Sequence, residues 1–142
     1  MISMKGYIKT IFIFSLIGVL FSGYLSFTKL FLGSCPLKEG CPLFLSYPAC
    51  YFGFMFFLIL LILSIILFKS VTKNKLKTVF YISLLAIIFA LYSAIKEYIV
   101  PSCLDGVCDY SLLLPTCVYG LIMYIIVFIM ATLALKELKI TY

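Results

Sequence analysis

Four long apolar stretches decide what this chain can fold into. They run over roughly Tyr7–Leu32, Pro48–Phe68, Thr78–Ile99 and Leu113–Leu135. Each is longer than the ~20 residues a helix needs to cross the hydrocarbon core at about 1.5 Å per residue. Within lipid the backbone must satisfy its own hydrogen bonds, which selects helices. A water-soluble globule is excluded by composition, because 65% of the 142 residues are hydrophobic and 11% are charged, leaving too little polar surface to coat one. The expected fold is therefore an all-α membrane protein, a four-transmembrane-helix bundle forming one domain over residues 1–142.

The chain is also written twice. Cys41 and Cys108, Pro48 and Pro115, Cys50 and Cys117, and Gly53 and Gly120 each stand 67 residues apart. Ser26 with Ser93 and Lys29 with Lys96 keep that offset, while Ser34-Cys35 and Ser102-Cys103 shift it to 68. Such periodicity marks a repeated structural unit. Repeat 1 spans about 7–69 and repeat 2 about 78–136, and all six cysteines fall within them.

Lysine sets the expected orientation, since the chain has neither arginine nor histidine. Lys5, Lys9, Lys69, Lys73, Lys75, Lys77, Lys136 and Lys139 fall on one side, whereas Lys29, Lys38 and Lys96 share the other with Glu39, Glu97, Asp105 and Asp109. By the positive-inside rule both termini and the middle loop are cytoplasmic, and the two cysteine loops face outward, in a plasma or inner membrane. The two helix pairs then enter the bilayer the same way and are parallel repeats about an axis along the membrane normal. The net charge of +6 belongs to that basic rim, and no basic, aromatic face exists outside the spans to bind nucleic acid. Leu32-Gly33-Ser34-Cys35 resembles a lipoprotein processing site, but the preceding apolar run is longer than a signal h-region and Ser-Cys recurs at Ser102-Cys103. The segment is read as a true span.

Along the first span Gly18, Ser22, Gly23 and Ser26 are spaced for close helix contact in lipid. Lys29 and Lys96 lie at outer helix ends, placed to snorkel to the headgroups or to favour a neighbouring thiolate. The first loop, CPLKEGC, is short enough for a turn to bring Cys35 and Cys41 together. PLFLSYPAC is expected to lie along the membrane surface as a short amphipathic helix, with Pro48 opening the second span. Cys50 and Cys117 then sit in first turns of membrane helices, where unpaired N–H groups and the helix dipole favour a thiolate. Buried apolar cysteine is the competing description. FKSVTKNKLKT is expected to be a polar connector of about ten residues joining the halves.

The cysteines are the only concentrated reactive chemistry. Without histidine there is no Ser-His-Asp or Cys-His arrangement, no histidine-ligated haem and no mixed Cys-His zinc site. The spacings C-x5-C and C-x4-C lack close zinc-ligand spacing, so no metal is expected. An oxidising outer compartment favours disulfides, and six cysteines allow 15 full pairings. The static pattern of choice joins Cys50 to Cys117, with one closed pair in each loop.

Residues 18–57, GVLFSGYLSFTKLFLGSCPLKEGCPLFLSYPACYFGFMFF, resemble the first helix, cysteine loop and second helix of the bacterial vitamin K epoxide reductase homologues. The resemblance rests on Tyr24-Leu25 with Lys29, on Cys35-x5-Cys41, and on Ser46, Pro48 and Gly53. It implies that Cys35 and Cys41 exchange disulfides with a thioredoxin-like extracytoplasmic partner, while a second pair delivers electrons to a quinone of the ubiquinone or menaquinone type. Where the family has C-x-x-C, this chain has Cys103-x4-Cys108, then Cys117. The disulfide-generating DsbB proteins share the four-helix plan and the division of cysteines between two outer loops, but not a local motif.

The expected mechanism is a relay. Electrons pass by thiolate attack from the partner to Cys35 and Cys41, then to a pair drawn from Cys103, Cys108 and Cys117, and on to quinone, with Cys50 included among the redox cysteines. Tyr47, Tyr51, Tyr110 and Tyr119 are within sequence reach of a flat apolar quinone slot. The alternative is a non-catalytic bundle whose outer loops are stapled by disulfides, acting as a subunit or assembly partner.

Overall fold

The computed structural model describes residues 3–32, 43–99 and 116–141. Within them lie α1 (Met4–Leu32), a hairpin of β1 (Leu43–Phe44) and β2 (Tyr47–Pro48), then α2 (Ala49–Lys69), α3 (Lys73–Ile99) and α4 (Thr116–Thr141). All four helices are long and apolar enough to cross a membrane, as befits a multi-pass membrane protein. α1 packs on α2 and α4, and α3 packs on the same two, so the four helices close a ring around a shared centre.

Each helix turns one narrow stripe into that centre. On α1 the buried positions are Ile8, Ile11, Ser15, Gly18, Ser22 and Leu25, and on α2 they include Phe57, Leu60, Ser64 and Leu67. α3 buries Leu76, Val79, Ser83, Ala86, Ala90 and Ser93, and α4 buries Tyr124, Val127, Ala131 and Ala134. The alternating steps of three and four are those of a coiled-coil seam, the packing usual for near-parallel helices in bundles. The remaining apolar side chains, among them Leu20, Phe27, Leu85 and Ile88, point away from the centre, where a soluble protein would carry charge.

The stripes of α2 and α4 stand 67 residues apart, since Phe57 corresponds to Tyr124 and Leu60 to Val127. Those of α1 and α3 stand 68 apart, since Ser15 corresponds to Ser83 and Ser22 to Ala90. The match of Ser26 with Ser93 by residue type is thus shifted by one position in the packing, where Leu25 is the counterpart of Ser93.

Small residues let the helices approach. A Cβ added to Gly18 would overlap the Phe57 ring, 2.6 Å from Cγ and closer still to Cδ1 and Cε1. Ser22 donates to the Gly18 carbonyl at 2.6 Å and Ser64 to that of Leu61 at 2.7 Å, so these buried hydroxyls are satisfied within their own helices.

Two local expectations are corrected. The segment before α2 is not a short surface helix: Leu43 pairs with Pro48 and Phe44 with Tyr47 in an antiparallel hairpin. Leu45 (φ 51°) and Ser46 (φ 70°) supply the left-handed two-residue turn, whose twist matches that of the flanking strands. Pro48 therefore ends a strand, and α2 starts at Ala49. The connector between the halves is also shorter than expected, because α3 starts at Lys73 and takes in Lys75 and Lys77. Lysine and leucine are good helix formers, so the helix runs on past the end of its apolar stretch.

Candidate functional site

At the end of the bundle where α2 and α4 begin, the four stripes diverge around a cavity of about 60 Å³. Cys50 and Cys117, each the second residue of its helix, both lie on its wall and are half-buried. The ring closure of the helices has brought together two thiols 67 residues apart.

The floor is aromatic. The rings of Phe57 and Tyr124 are stacked, with centroids 4.2 Å apart and planes inclined by 13°. The Tyr124 hydroxyl crosses to α2 and donates to the Gly53 carbonyl at 2.9 Å, a bond that gives the stack one orientation. Phe56 meets Tyr124 edge-on and also contacts Phe89, which itself packs against Phe52. Gly18 lies hard against Phe57, so the floor is contacted from α1 as well as from α4.

The rim is more polar than the floor. Ser26 donates to the Cys50 carbonyl at 3.3 Å, tying the last turns of α1 to the first turn of α2, and Ser93 of α3 lines the cavity. One turn beyond Ser93, Glu97 takes the next stripe position and is only 2% exposed. Lys96 instead lies over the Tyr92 ring, 5.9 Å from its centroid.

Among the sequence-derived candidates, the structure gathers Cys50 and Cys117. Tyr47 is exposed in β2, and Tyr51 and Tyr119 are half-buried beside the two cysteines but absent from the cavity wall. Cys35, Cys41, Cys103, Cys108 and Tyr110 lie outside the described residues. No group of three or more His, Cys, Asp or Glu side chains assembles among the described residues. Sequence reasoning passed over Phe57, Phe89, Tyr124 and Glu97. The 67-residue offset already paired Phe57 with Tyr124, and that signal would have found the floor. Glu97 gave no signal beyond being an acid near the end of a span.

No family model matches the chain, and neither does any curated protein or solved structure.

Proposed function

We propose that the chain is an integral membrane thiol-disulfide oxidoreductase, built from two parallel helix-pair repeats with the cysteine loops on the outer side and both termini in the cytoplasm. A dithiol of a thioredoxin-like extracytoplasmic protein is its electron donor. Oxidation of that dithiol gives one disulfide, two electrons and two protons, and reduction of a membrane quinone to the quinol takes up all four, so the reaction balances. Cys35 and Cys41 form the pair that meets the donor, and Cys103 and Cys108 belong to the second loop.

The observation that supports this reading is the meeting of Cys50 and Cys117 on one apolar cavity wall. Thiols that exchange with one another need such a shared space, and this pair has it at the end of the bundle where α2 and α4 begin. The wall suits an apolar ring in chemistry but not in size. About 60 Å³ is well below the ~150 Å³ of a cavity that takes up benzene. At that volume the cavity does not fit a quinone ring, and no electron-transfer step is assigned to a quinone within it.

The test is differential alkylation with mass spectrometry on the full chain, before and after quinone is added to the reduced protein. The proposal expects quinone to re-form at least one disulfide and Cys35→Ser to trap a mixed disulfide with the donor. Bridges that resist mild reductant and ignore quinone would identify the cysteines as staples of a structural bundle.

A further inference from the structure

We propose that Glu97 is the proton acceptor for the cavity thiols, a role that rests on the oxidoreductase reading above. Three observations lead there. Glu97 is 2% exposed in a helix apolar enough to lie in lipid, where an ionisable side chain is costly and needs a reason. It continues the α3 stripe of Ala90 and Ser93, both on the cavity wall. Its direction also suits the task. Helical side chains lean towards the N-terminus of their own helix, and α3 runs towards the cysteine end. From a Cα about 6 Å beyond that of Ser93, the Glu97 side chain therefore leans back towards the level of the thiols.

Thiol-disulfide exchange needs such a group. A cavity thiol gives its proton to the Glu97 carboxylate and becomes a thiolate. That thiolate attacks a disulfide, one S–S bond forms as another breaks, and the departing thiolate takes the proton back from the Glu97 carboxyl. No electron or atom is left over. In water this transfer needs no assistance, but in an apolar cavity solvent is a poor partner, and the chain has no histidine to substitute.

Among the described residues, the titratable groups on the elements around the cavity are few. α2 contributes Cys50 with Tyr51, and α4 contributes Cys117 with Tyr119 and Tyr124. The Tyr124 hydroxyl is engaged with the Gly53 carbonyl. α1 carries half-buried Lys29 at the stripe position equivalent to Glu97, four residues beyond Leu25 as Glu97 is four beyond Ser93. On α3 itself, Lys96 is directed over Tyr92. The remaining described acid, Glu137, is near the far end of α4. Lys29 and Glu97 thus give the two halves opposite charges at matching stripe positions, one turn beyond the residues of α1 and α3 that line the cavity.

The experiment follows exchange of the reduced full-length protein in lipid nanodiscs with dipyridyl disulfide, a small neutral probe, across a range of pH. Occupancy at Cys50 and Cys117 is read by mass spectrometry after quenching. Glu97→Gln, nearly isosteric, should slow labelling by about tenfold or more near neutral pH. The deficit should close as pH rises into the range where ordinary thiols ionise unaided, about 8.5 and above. Glu97→Asp keeps a carboxylate and should recover most of the neutral-pH rate, and it serves as the deciding variant if Glu97→Gln does not fold. Wild-type and variant profiles that run parallel at every pH would show a structural Glu97 and overturn the inference while leaving the oxidoreductase reading intact. If neither cysteine of the wild type exchanges at any pH, that reading fails and the inference fails with it.

Discussion

Gly18 offers the sharpest test of the packing around the cavity floor. A methyl group there meets Phe57 Cγ at 2.6 Å and two further ring carbons at closer range, against an ordinary carbon-carbon contact of about 3.5–4.0 Å. The ring is also stacked on Tyr124 at 4.2 Å, and Tyr124 is held by its bond to Gly53, so a shift of the ring disturbs that stack. Overpacking of this kind costs about 1–3 kcal/mol. Replacing glycine by alanine within a helix also returns roughly 0.5–1 kcal/mol of backbone entropy, which would obscure the result if measured alone. Gly120 provides the control, since a Cβ there meets nothing within 4 Å and carries the same entropy gain. The difference between Gly18→Ala and Gly120→Ala therefore isolates the overlap and should be about 2 kcal/mol, with Gly18→Ala the less stable. Equilibrium unfolding in mixed micelles, with both variants measured beside the wild type, gives the two values. Adding Phe57→Leu to Gly18→Ala should recover part of the loss. Equal stability of the two alanine variants would mean that Phe57 is not lodged between Gly18 and Tyr124.

Other expectations follow from single contacts. Tyr124→Phe keeps the stack but loses the hydroxyl bond to Gly53, and should cost about 0.5–1.5 kcal/mol in the same unfolding measurement; no change would mean that the bond is not made. The Ser15 hydroxyl is buried and makes no hydrogen bond, so Ser15→Ala should be neutral or slightly stabilising, and a loss above about 1 kcal/mol would reveal a partner. Phe57→Ala should enlarge the cavity towards the size that takes up a benzene ring, about 150 Å³. Small aromatic molecules should then slow alkylation of Cys50 and Cys117 in the variant and not in the wild type, and equal protection of both would contradict the small volume of the wild-type cavity.

Much of the architecture was legible from residue order because the causes are local. Twenty or more apolar residues in a row can satisfy their backbone only as a helix, and the observed helices follow the four apolar stretches closely. The ends were harder. α3 extends to Lys73 because lysine opposes lipid, not helix, so an apolarity boundary is not a helix boundary. The hairpin at Leu43–Pro48 was missed because Leu45 and Ser46 occupy left-handed positions where Gly, Asn or Asp would have announced the turn. At the site, Cys50 and Cys117 were legible because the repeat places them at matching points of matching helices. Tyr51 stands one residue from Cys50 and Tyr119 two from Cys117, and steps of about 100° and 200° round the helix take both side chains off the cavity wall.

The sequence by itself determined that the chain makes four long apolar helices and that six cysteines stand at echoing places in its two halves, because run length, composition and spacing are properties of neighbours along the chain. Which face of each helix turns inward was decided only by tertiary structure. A helix apolar on every side carries no amphipathic stripe to distinguish partner from lipid, and the choice falls to shape, to where a glycine admits a ring or a small residue lets two backbones approach. The Gly18–Phe57 contact and the Phe57–Tyr124 stack settle the register of α1, α2 and α4. The 68-residue relation between the stripes of α1 and α3 sets Glu97 opposite the lysine position of the first half. Spacing along the chain says which positions of the two halves correspond, but the contacts across the bundle that bring them together are made only in the folded structure.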